Sequence, residues 1–161
     1  MRRLIAVTGL VGSFVLVGFT GWGDASTGGA HAASTIPLVI LKAKDGETLA
    51  LAKVIIHGRA FPFLIDTGSS KTLVDDALAK KLHLKTVGRP IKVTGVGCSE
   101  AARKVRLNRW SMGGQPLPNI VATSSVIAGS GGKAFGLLGS DVLSHFGIIS
   151  IDYAHGQLIL G

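Results

Sequence analysis

Every side chain in residues 60–65 is apolar, and the next residue, Asp66, is an acid. A run of that kind, bounded by turn formers, reads as a strand bound for the interior. A carboxylate fixed to the end of a buried strand is costly unless donors surround it. The residues that follow, Thr67-Gly68-Ser69-Ser70, bring three hydroxyls and a glycine that permits a tight turn aiming backbone N–H groups at the acid. Whatever the chain folds into must hold the Asp66 loop at the rim of its core. A plainer reading is that Asp66 only caps a turn, since Asp-x-Gly turns are common. Asp-Thr-Gly arises by chance in roughly a few per cent of chains this long, so its surroundings decide.

Those surroundings read as mostly β. Residues 36–41 and 48–56 are strand candidates, and the turn His57-Gly58-Arg59 joins the second to residues 60–65 as a hairpin. Residues 75–82 suit a short helix with an acid at its start, where the helix dipole favours it. Residues 90–96 are extended, Gly95-Val96-Gly97 forms a tip, and 103–110 return. There Val105 and Leu107 alternate with Lys104, Arg106 and Asn108, a strand with one wet face. After a turn at 112–115, residues 117–122 read as an edge strand because of Pro116 and Pro118. Residues 129–132 read as a flexible loop, and Phe135 to Gly139 leads into a second helix at 140–146. Residues 148–153 and 157–160 close the chain as a hairpin. At 161 residues, 47% hydrophobic and 16% charged, the chain has material for one cored domain.

Residues 1–32 read as a targeting segment. Arg2 and Arg3 precede an apolar run at 4–20, and Ala30-His31-Ala32 fits a small-x-small cleavage pattern. Cleavage near Ala32–Ala33 is the expectation and an uncleaved anchor the alternative. Both put the domain at 33–161 outside the cytoplasm: secreted, periplasmic, in the cell envelope, or membrane-anchored facing outward. The formal charge of +8 favours anionic neighbours, and export argues against nucleic acid. The lone Cys98 cannot build a disulfide framework or a cysteine-rich zinc site.

Three motifs in order make a resemblance specific. Leu64-Ile65-Asp66-Thr67-Gly68-Ser69, the glycine-rich Gly95-Val96-Gly97, and Leu137-Leu138-Gly139 before a helix resemble the retropepsin-like aspartic proteases, in their cellular and bacterial branch. The resemblance spans nearly all of the chain after residue 35. It implies an all-β, closed barrel-like domain with two short helices, assembling as a twofold homodimer. Asp66 would be the catalytic acid, and Thr67, Gly68 and Ser69 would support its loop. Thr67 would lock two such loops together, and Ser69 would bond the outer oxygen of Asp66. Gly95, Val96 and Gly97 would form a flap over the substrate, and Leu137, Leu138 and Gly139 would brace the loop. Such chemistry needs two carboxylates, and this chain has one Asp-Thr-Gly; Asp45, Asp75, Asp76, Asp141 and Asp152 lack its flanks. The implied activity is endopeptidase action on protein or peptide substrates, with no metal or organic cofactor. A non-catalytic module gripping extended peptides on the same fold is the alternative.

Other signals are weaker. His57, His83, His145 and His155 lack metal-ligand spacing. Gly129-Ser130-Gly131-Gly132-Lys133 fails as a phosphate loop, because Ile127 holds the first glycine position and Ala134 the Ser/Thr position. Arg103, Lys104, Arg106 and Arg109 read as a solvated strand face. Asp141 reads as a helix-start residue. Cys98 reads as a small thiol, with redox control of paired flaps the sharper alternative.

Overall fold

The structure is a computed structural model and describes residues 34–42, 46–95, 98–127 and 132–161. In chain order the elements are β1 (Ser34–Lys42), β2 (Thr48–Ile56), β3 (Arg59–Ile65), β4 (Leu73–Asp75), α1 (Asp76–Lys81), β5 (Ile91–Gly95), β6 (Cys98–Leu107) and β7 (Trp110–Met112). There follow β8 (Gln115–Pro116), β9 (Ile120–Ser125), β10 (Gly136–Leu138), α2 (Ser140–Leu143) with a 3-10 turn at Ser144–Phe146, β11 (Ile149–Asp152) and β12 (Gln157–Leu160).

The β2–β3 hairpin is built as its sequence suggests. His57 and Gly58 both take positive φ, 50° and 79°, the geometry that matches strand twist in a two-residue turn. The alternation of β3 sends Phe61, Phe63 and Ile65 into the core. Full burial of such a side chain contributes about 1.5–3 kcal/mol. Gly113 and Gly114 make the equivalent turn between β7 and β8, with φ of 58° and 83°. The first half of β1 pairs with β12 and its second half with β2, so one strand serves two ladders.

Helix α1 starts where an acid was expected. The Asp75 carboxylate accepts from the N–H groups of Ala77 and Leu78, at 3.0 and 3.3 Å, and the helix buries Leu78 and Ala79. Phe63, Val54, Ile56, Leu107, Met112, Leu138 and Val142 lie at the centre of the core.

Strand order along the main sheet is β11-β12-β1-β2-β3-β10-β4-β9-β6-β5. The most telling step is β10. It lies between β3 and β4, which are neighbours in sequence but not in space; it runs parallel to β3 and antiparallel to β4.

Three expectations need correction. The sheet is an open path rather than a closed barrel, since β11 and β5 end it without pairing to each other among the described residues. The strand expected at 117–122 is β9, which begins at Ile120 and is internal, between β4 and β6. The prolines lie before it: Pro116 is in the two-residue β8, and the Pro118 carbonyl accepts from the Trp110 indole at 2.8 Å. The return expected at 103–110 is broken at Arg109, whose φ of 51° separates β6 from β7. Its wet face is as expected, with Val105 and Leu107 buried and Lys104 and Arg106 exposed. The targeting segment, the flap tip Val96-Gly97 and most of the 129–132 loop lie outside the described residues.

Candidate active site

Asp66 sits where β3 leaves the sheet, half-buried. Its N–H donates to the Leu138 carbonyl at 3.1 Å, continuing the parallel ladder with β10 by one residue. The chain then turns. The Gly68 N–H donates to Asp66 Oδ1 at 2.9 Å, and the Ser69 N–H to the Asp66 carbonyl at 3.3 Å. One carboxylate oxygen is thus fixed by the loop's own backbone, and the other makes no hydrogen bond among the described residues. A side chain at position 68 would bring its Cβ to 3.2 Å from Oδ1, so glycine keeps this approach open.

The loop cannot hold this shape alone, because β10 separates the two strands that flank it. Its fixings come from residues 138–141. The Ser140 N–H donates to the Ser69 carbonyl at 2.8 Å. The Gly139 N–H donates to Thr72 Oγ1 at 3.2 Å, and that hydroxyl donates to Asp141 Oδ1 at 2.8 Å. The Thr72 N–H reaches the same carboxylate oxygen at 2.9 Å. Thr72 has no exposed surface, so it links loop, strand end and helix start from inside. Close packing explains both glycines of this segment. A Cβ at Gly139 would lie 2.6 Å from the Lys71 carbonyl carbon, and one at Gly136 only 2.0 Å from the Phe63 ring.

The three motifs therefore fare differently. Asp66, Thr67, Gly68 and Ser69 form one loop, and Leu137, Leu138 and Gly139 lie against it. Thr67 and Gly68 are exposed. The second motif is the β5–β6 hairpin, in which Gly95 pairs with Cys98; Val96 and Gly97 lie outside the described residues. Ser69 corrects an expectation, since its hydroxyl donates to the Lys71 carbonyl at 2.8 Å and so closes the loop instead of bonding Asp66. Asp141 lies in the first turn of α2 as expected, but its carboxylate reaches back to Thr72. Nothing in the sequence marked Thr72, because a threonine six residues after an acid has no pattern of its own.

Away from the loop, Asp76 gathers Lys80 at 2.7 Å, Arg103, and Ser124 at 3.1 Å. The Lys80 ammonium and then the Arg103 guanidinium hold its carboxyl down to about 2, against a smaller opposing effect of burial. Among the described residues no three His, Cys, Asp or Glu side chains gather so as to hold a metal ion.

A half-buried aspartate on a glycine turn, pinned by a strand threaded between its flanking strands, is the arrangement expected of an aspartic-protease loop. The sequence model described as aspartyl protease matches residues 52–142, from β2 to α2 and more than half of the chain. The chain belongs to the aspartyl protease family, and its fold is retropepsin-like. The crystal structure of a retropepsin-like aspartic protease from Rickettsia conorii is similar, with a TM-score of 0.52 and 22% sequence identity, covering 80% of this chain and 90% of that one. No curated protein matches.

Proposed function

We propose that the chain is an exported aspartic endopeptidase that works as a twofold homodimer, each protomer contributing Asp66 to one site. The carrying observation is the Asp66 loop itself: braced from behind by Thr72, Gly139 and Ser140, with one carboxylate oxygen unbonded among the described residues and Thr67 exposed beside it. The sequence holds one such loop, and the chemistry calls for two carboxylates, which a second copy would supply.

Two acids about 3 Å apart do not both ionise readily, so the pair shares a proton. The ionised member takes a proton from water as its oxygen attacks the peptide carbonyl. The protonated member bonds the carbonyl oxygen. The tetrahedral adduct then collapses, and the departing nitrogen receives a proton from the pair. Substrate would lie extended, as an added strand under the β5–β6 hairpin, and closure of that hairpin would exclude water. Export is supported by the positive head, the apolar run at 4–20 and Ala30-His31-Ala32. Among the described residues no helix is long and apolar enough to cross a membrane.

The test is peptide hydrolysis by the wild-type chain and Asp66→Asn. The variant should lose turnover while keeping the same sedimentation coefficient. Wild-type rate should rise faster than linearly with enzyme concentration at the dilute end, because assembly precedes catalysis. Equal turnover in the variant removes the protease reading.

A further inference from the structure

Strand register lines up five residues on the sheet face away from the core. Leu64 on β3 faces Leu137 on β10, which faces Leu73 on β4; Leu73 faces Thr123 on β9, and Thr123 faces Lys104 on β6. Their neighbours Ile65, Leu138, Val74, Ala122 and Val105 point the other way and are buried. The three leucines and Thr123 are half-buried and Lys104 is exposed. Asp66 comes two residues after Leu64, and side chains two apart share a face. The row continues on its other side through Leu51 and Val39; counted from Leu64, beside Asp66, it is a floor that is apolar for three strands and ends on a cation.

That cation has company. Residues 85–87 run along the other edge of β6, with Thr86 opposite Val105. The Arg106 N–H donates to the Lys85 carbonyl and the Val87 N–H to the Lys104 carbonyl, both at 2.8 Å. By alternation Lys85 and Arg106 share the face of Lys104. All three are exposed, and none forms an ion pair among the described residues. Charge along the whole sequence points to the same place. Residues 77–106 hold eight lysines and arginines against the single acid Glu100, whereas the remaining positions after residue 32 balance at seven of each.

Resting on the protease reading above, we propose that this enzyme selects peptides with an acidic side chain some four residues from the cleaved bond, received by Lys104, Arg106 and Lys85. The distance follows from strand spacing. Four steps of about 4.8 Å, less about 6 Å of lysine reach, leave about 13 Å, or about four residues of extended peptide.

The experiment uses the full chain and matched fluorogenic peptides with apolar residues at the cleavage point. Each carries Glu, Gln or Lys four residues away, on one side or the other. The Glu peptide should exceed the Gln peptide in kcat/KM by about fivefold, the upper range for one exposed ion pair, and the ratio should fall toward one as salt is raised. Lys104→Glu combined with Arg106→Glu should invert the order and favour the Lys peptide, a reversal that mere loss of structure does not produce. The same peptides are titrated by anisotropy onto Asp66→Asn, so that binding preference is read without turnover. If no peptide is cleaved but the Glu peptide binds more tightly, the protease reading fails and the acidic selectivity stands. Equal binding and equal cleavage of the Glu and Gln peptides, or a preference that survives the charge reversal, overturns the proposal.

Discussion

Thr72→Val tests how the Asp66 loop is held. Valine copies threonine's shape, and Thr72 has no exposed surface, so packing changes little. What is lost is one hydroxyl with two duties: it donates to the Asp141 carboxylate at 2.8 Å and accepts from the Gly139 N–H at 3.2 Å. A hydrogen bond to a charged group contributes about 1.5–3 kcal/mol, and leaving a buried N–H without a partner costs about 1–3 kcal/mol more. The expected destabilisation is about 3 kcal/mol. With a urea dependence of about 2 kcal/mol/M, the unfolding midpoint should fall by about 1.5 M at unchanged slope. Thr72→Ser keeps the hydroxyl and gives up a methyl, so it should cost about 1 kcal/mol. Urea titrations of the three proteins, followed by fluorescence of Trp110, separate the cases. A midpoint shift below about 0.5 M for the valine variant, or an equal shift for serine, would refute the view that the hydroxyl is the fastening.

Gly139→Ala should lower thermal stability by about 2–3 kcal/mol, because the new methyl meets the Lys71 backbone rather than a side chain that could swing away; calorimetry reads this, and peptide hydrolysis should fall with it as the loop is displaced. Asp76 gives a pH signature. Its folded-state carboxyl titrates near 2, below its ordinary 3.8, so its contribution is complete above about pH 4 and disappears as pH falls toward 2. Urea midpoints of wild type should drop across that window, and Asp76→Asn should show a shallower drop; parallel curves would count against it.

Much of this fold is legible in local chemistry. Residues 48–56 and 157–160 alternate or end at turn formers so clearly that β2 and β12 coincide with the expected strands. Asp75 announces α1 because capping is a matter of four consecutive residues. The Asp66 loop is legible for the same reason, since donor and acceptor in the Gly68–Asp66 bond are two residues apart. What stayed hidden depends on distance along the chain. The bond from Thr72 to Asp141 spans 69 residues, and no local pattern encodes it. Prolines misled at 116 and 118, because they mark a short detour before β9 rather than a free edge. Ser69 misled because resemblance supplies a partner, whereas its own turn offers the Lys71 carbonyl.

The slot between β3 and β4 has a consequence for timing. Residues 59–75 leave any ribosome or export pore well before residues 136–138 do, yet only the latter can fill the gap beside Ile65. Until they arrive, the acid has its own turn but none of the fixings from residues 138–141. On the function proposed above, a partly emerged polypeptide carries no working edge until residues 136–138 have slid home.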